Sequence, residues 1–297
     1  MLQGLTPAAP AVDWAAAQAR LSGPAFAPIS PALARLDARR WPAHEELTAL
    51  AEGIVTSRGV PVRFVPPRTQ RDEGRACYEM HIAQTGEVET RAENWHDLFN
   101  ALAWVAFPKA KAAINAQHAA MLEEGGREEA RRRNPARDAL TLFDEGGVAV
   151  ASASPELLRL VVDFEWKELL WHRREELARQ VRFIAFGHSL FEKMLAPFIG
   201  IIAKTVFLPV DEGFADLPGP AQAARADTLL AAHFADRARF ASPRSMAPLP
   251  VLGIPGWHPG TSREDFYDDA NHFRPKKAER QKRGQIPFPV DLPEKGI

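Results

Sequence analysis

NWHDLFNALAWVAFPKAKAAINAQHAAML, residues 94–122, carries two histidines, three asparagines and one aspartate on an apolar pattern of helical period. The pattern breaks at Phe107-Pro108, because proline has no N–H to donate and its ring clashes with the preceding helical turn. The expectation is one helix ending at Phe107 and a second, from Lys109 to Leu122, folded back on it. Residues three or four apart share a helix face, so His96 neighbours Asn100, and Asn115 neighbours His118. A chain reversal at Pro108 then carries the two His/Asn pairs toward one pocket. That convergence rests on topology rather than on spacing.

Around this segment, the 297 residues and 46% apolar content suffice for a full core, as one unit in preference to two packed ones. The 37 basic and 38 acidic residues nearly cancel, so no global field draws the chain to nucleic acid or anionic lipid. Cys77 is the single cysteine, which excludes an internal disulfide and a thiolate zinc cage and fits a reducing compartment. The start, MLQGLTPAAPAVDW, lacks the features of a signal peptide, and APFIGIIAKTVFLPV is interrupted by Lys204. The expectations are a cytoplasmic location and no membrane partner.

Upstream, residues 1–29 read as an Ala/Pro-rich arm lying on the body, with a short helical piece at Trp14 to Leu21 and little cost on removal. Ser30-Pro31 opens a helix that ends near Trp41-Pro42, and another runs from Pro42 toward Gly53. Val60 to Val65 alternates like a strand. Cys77 to Ile82 and Glu87 to Arg91 flank Thr85-Gly86, which predicts a β-hairpin.

Downstream, EEGGREEARRRNPARD, 123–138, predicts an exposed charged loop, where Arg131, Arg132 and Arg133 compete with nearby glutamates for any nucleic-acid role. DALTLFDEGGVAVAS predicts a second hairpin turning at Asp144 to Gly147. Ser154-Pro155-Glu156 starts a helix carrying Leu157, Val161, Phe164, Trp166 and Trp171. VRFIAF is a buried strand, Gly187 turns it into a helix, and a further helix spans about Ala221 to Ala235. PLPVLGIPGWHPG is too rich in proline for a continuous helix. Residues 276–297 form a basic, Pro-rich tail. The fold class that results is α+β: a mostly helical single domain, 30–275, with two β-hairpins or a small mixed sheet.

His96, Asp97, Asn100 and His118 are the candidate catalytic residues. A mixed set of His96, His118, Asn115, Asp138, Asp144, Glu145, His188 and Glu192 suits a divalent zinc, manganese or iron ion, with the asparagine carbonyl as an oxygen ligand. Such an ion acidifies water and polarises a phosphoryl or carbonyl group, so metal-assisted hydrolysis of a small polar or phosphate-containing substrate is the expectation. Without metal, His96 backed by Asp97 or another carboxylate can act as a general base. His188 and Glu192 also share a helix face. The competing reading is a non-enzymatic binding or structural protein whose His and Asn side chains satisfy helix ends and buried backbone. There is no H-E-x-x-H, Walker loop or G-x-G-x-x-G.

FGHSLF has the strand, glycine, serine and helix of a nucleophile elbow, but Phe191 stands where close packing requires a second glycine. The pairs Glu264-Asp265 and Asp268-Asp269 read as solvated loop carboxylates. Oligomeric state stays open.

The run from Asn94 to Leu102, followed by Phe107-Pro108-x-x-Lys111 and Asn115-x-x-His118, resembles the bacterial domain-of-unknown-function family 3025. Further blocks follow in order: Arg137 to Thr141, Phe143-Asp144-Glu145, Phe186-Gly187-His188 with Glu192, Pro248-Leu249-Pro250 to Gly256-Trp257, and Phe266 to Asp269 with Phe273-Arg274-Pro275. The resemblance implies a shared body over about residues 30 to 275 and brings no activity or catalytic residues with it. It implies alanine as a common residue after the Gly-His pair, which weakens Ser189 as a nucleophile. It also places the tail cations Lys276, Lys277, Arg280, Lys282 and Arg283 outside that body. The order of a histidine followed by asparagine and a second histidine on helices is similar to ββα-metal nucleases, by analogy alone.

Overall fold

A computed structural model describes residues 12–68, 75–131 and 133–276. The expected arm before residue 12 and the tail beyond Lys276 lie outside the described residues. The chain begins with α1 (Trp14–Leu21), the single-turn α2 (Ser30–Leu33) and α3 (His44–Leu50). Trp14, Ala17, Phe26 and Ile29 are 5% exposed or less, and burying one Phe or Ile stabilises by about 1.5–3 kcal/mol. Residues 12–29 are therefore built into the body and are not a detachable arm.

Next come β1 (Arg63–Val65), α4 (Arg75–Thr85) and β2 (Glu87–Glu89). The hairpin expected across 77–91 is absent: its first arm is helical, and β2 pairs in parallel with β1. Thr85-Gly86 is a helix stop. Gly86 adopts φ 71° and donates its N–H to Ile82 O at 2.8 Å, the left-handed glycine ending that satisfies orphan carbonyls.

The central pair is α5 (Trp95–Ala106) and α6 (Pro108–Arg131), broken at Phe107 as the proline dictates. Asn94 caps α5 by accepting from the Asp97 amide at 3.0 Å. The first amides of α6 are capped from afar: Lys109 and Ala110 donate to the Asp227 carboxylate at 3.2 and 2.8 Å. Instead of stopping at Leu122, α6 enters the stretch expected to be a charged loop, with non-helical backbone at Gly126.

The second expected hairpin is also absent. Its first arm is α7 (Pro135–Gly146), which leads into β3 (Gly147–Ser152). Asn134 accepts from the Ala136 and Arg137 amides, Pro135 occupies the first helical position, and Ala139, Leu140 and Phe143 are buried on one face. That helical period outweighs the local β preference.

The rest follows as α8 (Pro155–Asp163), a π-helical turn (Glu168–His172), α9 (Arg174–Gln180), β4 (Val181–Ala185), α10 (His188–Leu195), β5 (Ile202–Pro209), α11 (Gly219–Ala235) and β6 (Ala247–Pro250). Four strands form one mixed sheet in the order β4-β3-β5-β6. β3 is antiparallel to β4 and parallel to β5, while β5 and β6 are antiparallel. Side chains alternate across a strand, so Val148 and Val150 join a core with α5, α8 and α10. Ala149 and Ala151 join a second core with α6, α7 and α11. This is the mostly helical α+β domain with a small mixed sheet, its helices on both faces. Among the described residues no helix is long and apolar enough to cross a membrane.

Candidate functional site

Two glycine-bearing junctions meet at one end of the sheet. The Phe186 and Gly187 amides, after β4, both donate to Gly147 O at 3.0 Å, at the start of β3. A Cβ on Gly187 would lie 2.4 Å from Glu145 O and 2.5 Å from the Gly147 nitrogen. Glycine is thus required by close approach, since φ at Gly187 is an ordinary −67°. This contact sets the first residue of α10, His188, beside Asp144 at the end of α7.

A line of polar side chains crosses the helices from there. His188 Nδ1 is 3.6 Å from Asp144 Oδ2, too long for a hydrogen bond, and that buried nitrogen has no hydrogen-bond partner. On its other side, His188 Nε2 lies 3.1 Å from His96 Nε2, with the two rings nearly perpendicular at 82°. His96 Nδ1 in turn lies 3.1 Å from Glu192 Oε2. Inward, Lys111 Nζ donates to Asp144 Oδ1 at 2.6 Å and to Asn100 Oδ1 at 2.8 Å, and sits 5.5 Å from the Trp104 ring centre. Asn100 reaches the Tyr78 hydroxyl at 3.5 Å.

The line runs from open to closed. Side chains of His96 and Glu192 are 33% and 30% exposed, whereas those of His188 and Lys111 are 6% and 5% exposed. Burial pushes His188 down to about 3 against the pull of Asp144, so its imidazole is neutral. Burial alone would raise Asp144, but the charge and hydrogen bond of Lys111 lead the effects that more than offset it and hold the carboxyl below its usual range. Burial pushes the Tyr78 hydroxyl upward, assisted by the charges of Glu79 and Asp144.

Of the residues expected to form the site, His96, Asn100, Asp144, His188 and Glu192 do share this line. The helix-face pairing of His188 with Glu192 is replaced by a joint grip on His96 from both sides. Asp97 does not back His96. It forms a two-point ion pair with Arg91, with contacts of 2.8 and 2.9 Å, and also accepts the Arg91 amide. Asn115 turns to α4, donating to Glu79 O and Oε2 at 2.8 Å each. His118 is buried on α6 and reaches the line through its charge on Asp144. Asp138 pairs with Arg133 at 2.8 Å, and Glu145 supplies the backbone oxygen beneath Gly187. Lys111 and Tyr78 were not among the expected site residues. The signals for Lys111 are its place in the Phe107-Pro108-x-x-Lys111 block and its helical register, four residues before Asn115.

For a metal, the line offers the two facing Nε2 atoms, each on a ring whose Nδ1 faces a carboxylate. Among the described residues no group of three or more His, Cys, Asp or Glu side chains is placed to hold an ion. The acidic loop pairs are engaged elsewhere: Lys167 contacts Asp268 and Glu264 at 2.8 and 3.3 Å, and Arg263 contacts Asp265 at 2.8 Å. Of the tail cations only Lys276 is described, and it pairs with Asp163 at 2.9 Å.

A family model described as a protein of unknown function, DUF3025, matches residues 62–277, well over half of the chain. The chain belongs to the DUF3025 family. No curated protein and no solved structure matches it. The DUF3025 match contains every residue of the polar line and opens later than the expected residue 30, leaving α1, α2 and α3 outside it.

Proposed function

We propose that this DUF3025 chain is a hydrolytic enzyme of the acid–base class, acting on a small polar substrate, with the His96–His188 pair as its proton-handling centre. The observation that carries this reading is the 3.1 Å approach of the two Nε2 atoms, with Glu192 and Asp144 facing the opposite nitrogens. Imidazole ordinarily titrates near neutrality, and a carboxylate behind it orients the ring and steadies the imidazolium.

The pair has two self-consistent proton arrangements. With two protons, His96 donates from Nδ1 to Glu192, His188 donates from Nε2 to His96, and His188 Nδ1 presents a bare lone pair toward Asp144. With three, His96 is an imidazolium donating to both Glu192 and His188, and His188 carries its other proton on Nδ1, facing Asp144. Between the two arrangements the Nε2 proton passes from His188 to His96 and His188 Nδ1 gains one, so loading the pair changes the tautomer of the buried His188. Water attacking a carbonyl or phosphoryl centre would lose its proton to Glu192, the partly exposed carboxylate that His96 Nδ1 orients, and the leaving group would recover it.

The test is a panel of chromogenic carboxylic and phosphate esters, assayed with wild-type protein and with His96→Gln. Hydrolysis by the wild type, lost in a variant that keeps its fold, supports the proposal. Absence of hydrolysis across the panel, with His96→Gln lowering only the melting temperature, favours the non-enzymatic reading of these side chains as hydrogen-bonding groups.

A further inference from the structure

Asp144 is a carboxylate enclosed by α5, α6, α7 and α10, and such a group must be matched by a positive charge or be protonated itself. The groups facing it and His188 are Lys111 and His118 from α6, His96 from α5, and Glu192 on α10 itself, with Tyr78 and Glu79 nearby on α4. Of these, Lys111 touches the Asp144 carboxylate at hydrogen-bonding distance, 2.6 Å. Asn100 and the Trp104 face hold the ammonium there.

We propose that Lys111 is the fixed counter-charge of the relay, a positioning residue that binds Asp144 through Oδ1 and so leaves His188, facing Oδ2, as a neutral proton acceptor. The inference deepens the acid–base reading and rests on it for its functional meaning. Lys111 and His188 both face this carboxylate, and the lysine ammonium occupies the nearer oxygen, at 2.6 Å against 3.6 Å. Without it, Asp144 draws a proton onto His188. The pair would then stay loaded, with no acceptor at its inner end.

The experiment reads His188 directly and requires no substrate. Long-range ¹H–¹⁵N correlation spectra of histidine-labelled protein distinguish imidazolium from each neutral tautomer. In the wild type, His188 is expected to remain neutral from pH 8 down to 5. In Lys111→Met and Lys111→Gln the protonation of His188 Nδ1 should rise by at least ~2 pH units from a starting point of about 3, on the order of a 100-fold gain in proton affinity from the unneutralised charge of Asp144. Lys111→Arg, which keeps the cation, should leave His188 neutral. A folded neutral variant in which His188 stays neutral, with Asp144 taking the proton instead, overturns the proposal. Should neither neutral variant fold, Lys111→Met combined with Asp144→Asn decides: recovered folding supports charge compensation, and no recovery overturns it. Failure of the hydrolysis panel alone would leave these spectra unchanged, so the two readings fail separately.

Discussion

His96 and His188, separated by 92 residues in sequence, face each other through their Nε2 atoms at 3.1 Å. Two like lone pairs at that distance repel, so one proton between them is what makes the contact favourable. The flanking carboxylates decide which ring gives it and which receives it.

His96→Gln and Glu192→Gln are expected to lower hydrolysis by about 10²–10⁴-fold, the usual contribution of a positioned general base. Stability should change little, because both side chains are about a third exposed. Initial rates beside urea denaturation curves check this; a large stability loss with undiminished rates would assign the pair a purely structural part.

Chelation separates two chemistries. Exhaustive dialysis against EDTA should leave the rate unchanged if a proton bridges the Nε2 atoms. Loss of activity restored by added zinc, manganese or iron would instead make the two imidazoles ligands, and elemental analysis of the untreated protein would show the stoichiometry.

Lys111→Met should destabilise the fold by about 3 kcal/mol, the low end for breaking a buried ion pair, since the Asp144 side chain retains 17% exposure. Combining it with Asp144→Asn should recover most of that loss. Single and double variants measured by urea denaturation form the cycle, and simple additivity would mean the two groups do not interact.

Gly187→Ala places a methyl group against Glu145 O and the Gly147 nitrogen. Both neighbours are backbone, so strand and helix must separate, at a cost of about 3 kcal/mol or more. His188 moves with them. Thermal unfolding and the His188 ¹⁵N shift should both change, whereas Gly146→Ala, with open space at its Cβ, should leave the His188 shift in place.

Stability should fall as the medium is acidified from about pH 6.5 toward 4. Burial pushes His272 from 6.5 down to about 4, and His233 moves the same way for the same cause. The unfolded chain therefore binds protons that the folded chain refuses, and the stability present above pH 6.5 is lost on the way down. For fully buried His272 the displacement corresponds to roughly 3 kcal/mol. His272→Gln, which keeps an acceptor for the Gly200 amide, should flatten the curve of melting temperature against pH over this range. An unchanged slope would remove His272 from the account.

Local chemistry was enough to place the break at Phe107-Pro108, the capped start at Ser154, the strand VRFIAF and the glycine turn into α10, because each is settled by neighbours a few residues away. It also singled out His96, Asn100, Asp144, His188 and Glu192 as polar groups in apolar surroundings. Thr85-Gly86 and Asp144 to Gly147 misled for one reason: a glycine that ends a helix and a glycine that turns a hairpin look alike until the partner of the preceding segment is known. What only the tertiary structure decided was pairing. How Glu192 comes to stand behind His96, and how His188 comes to face Asp144, depend on the approach of Gly187 to Gly147. That approach is a contact between segments 40 residues apart, and no periodicity within either segment encodes it.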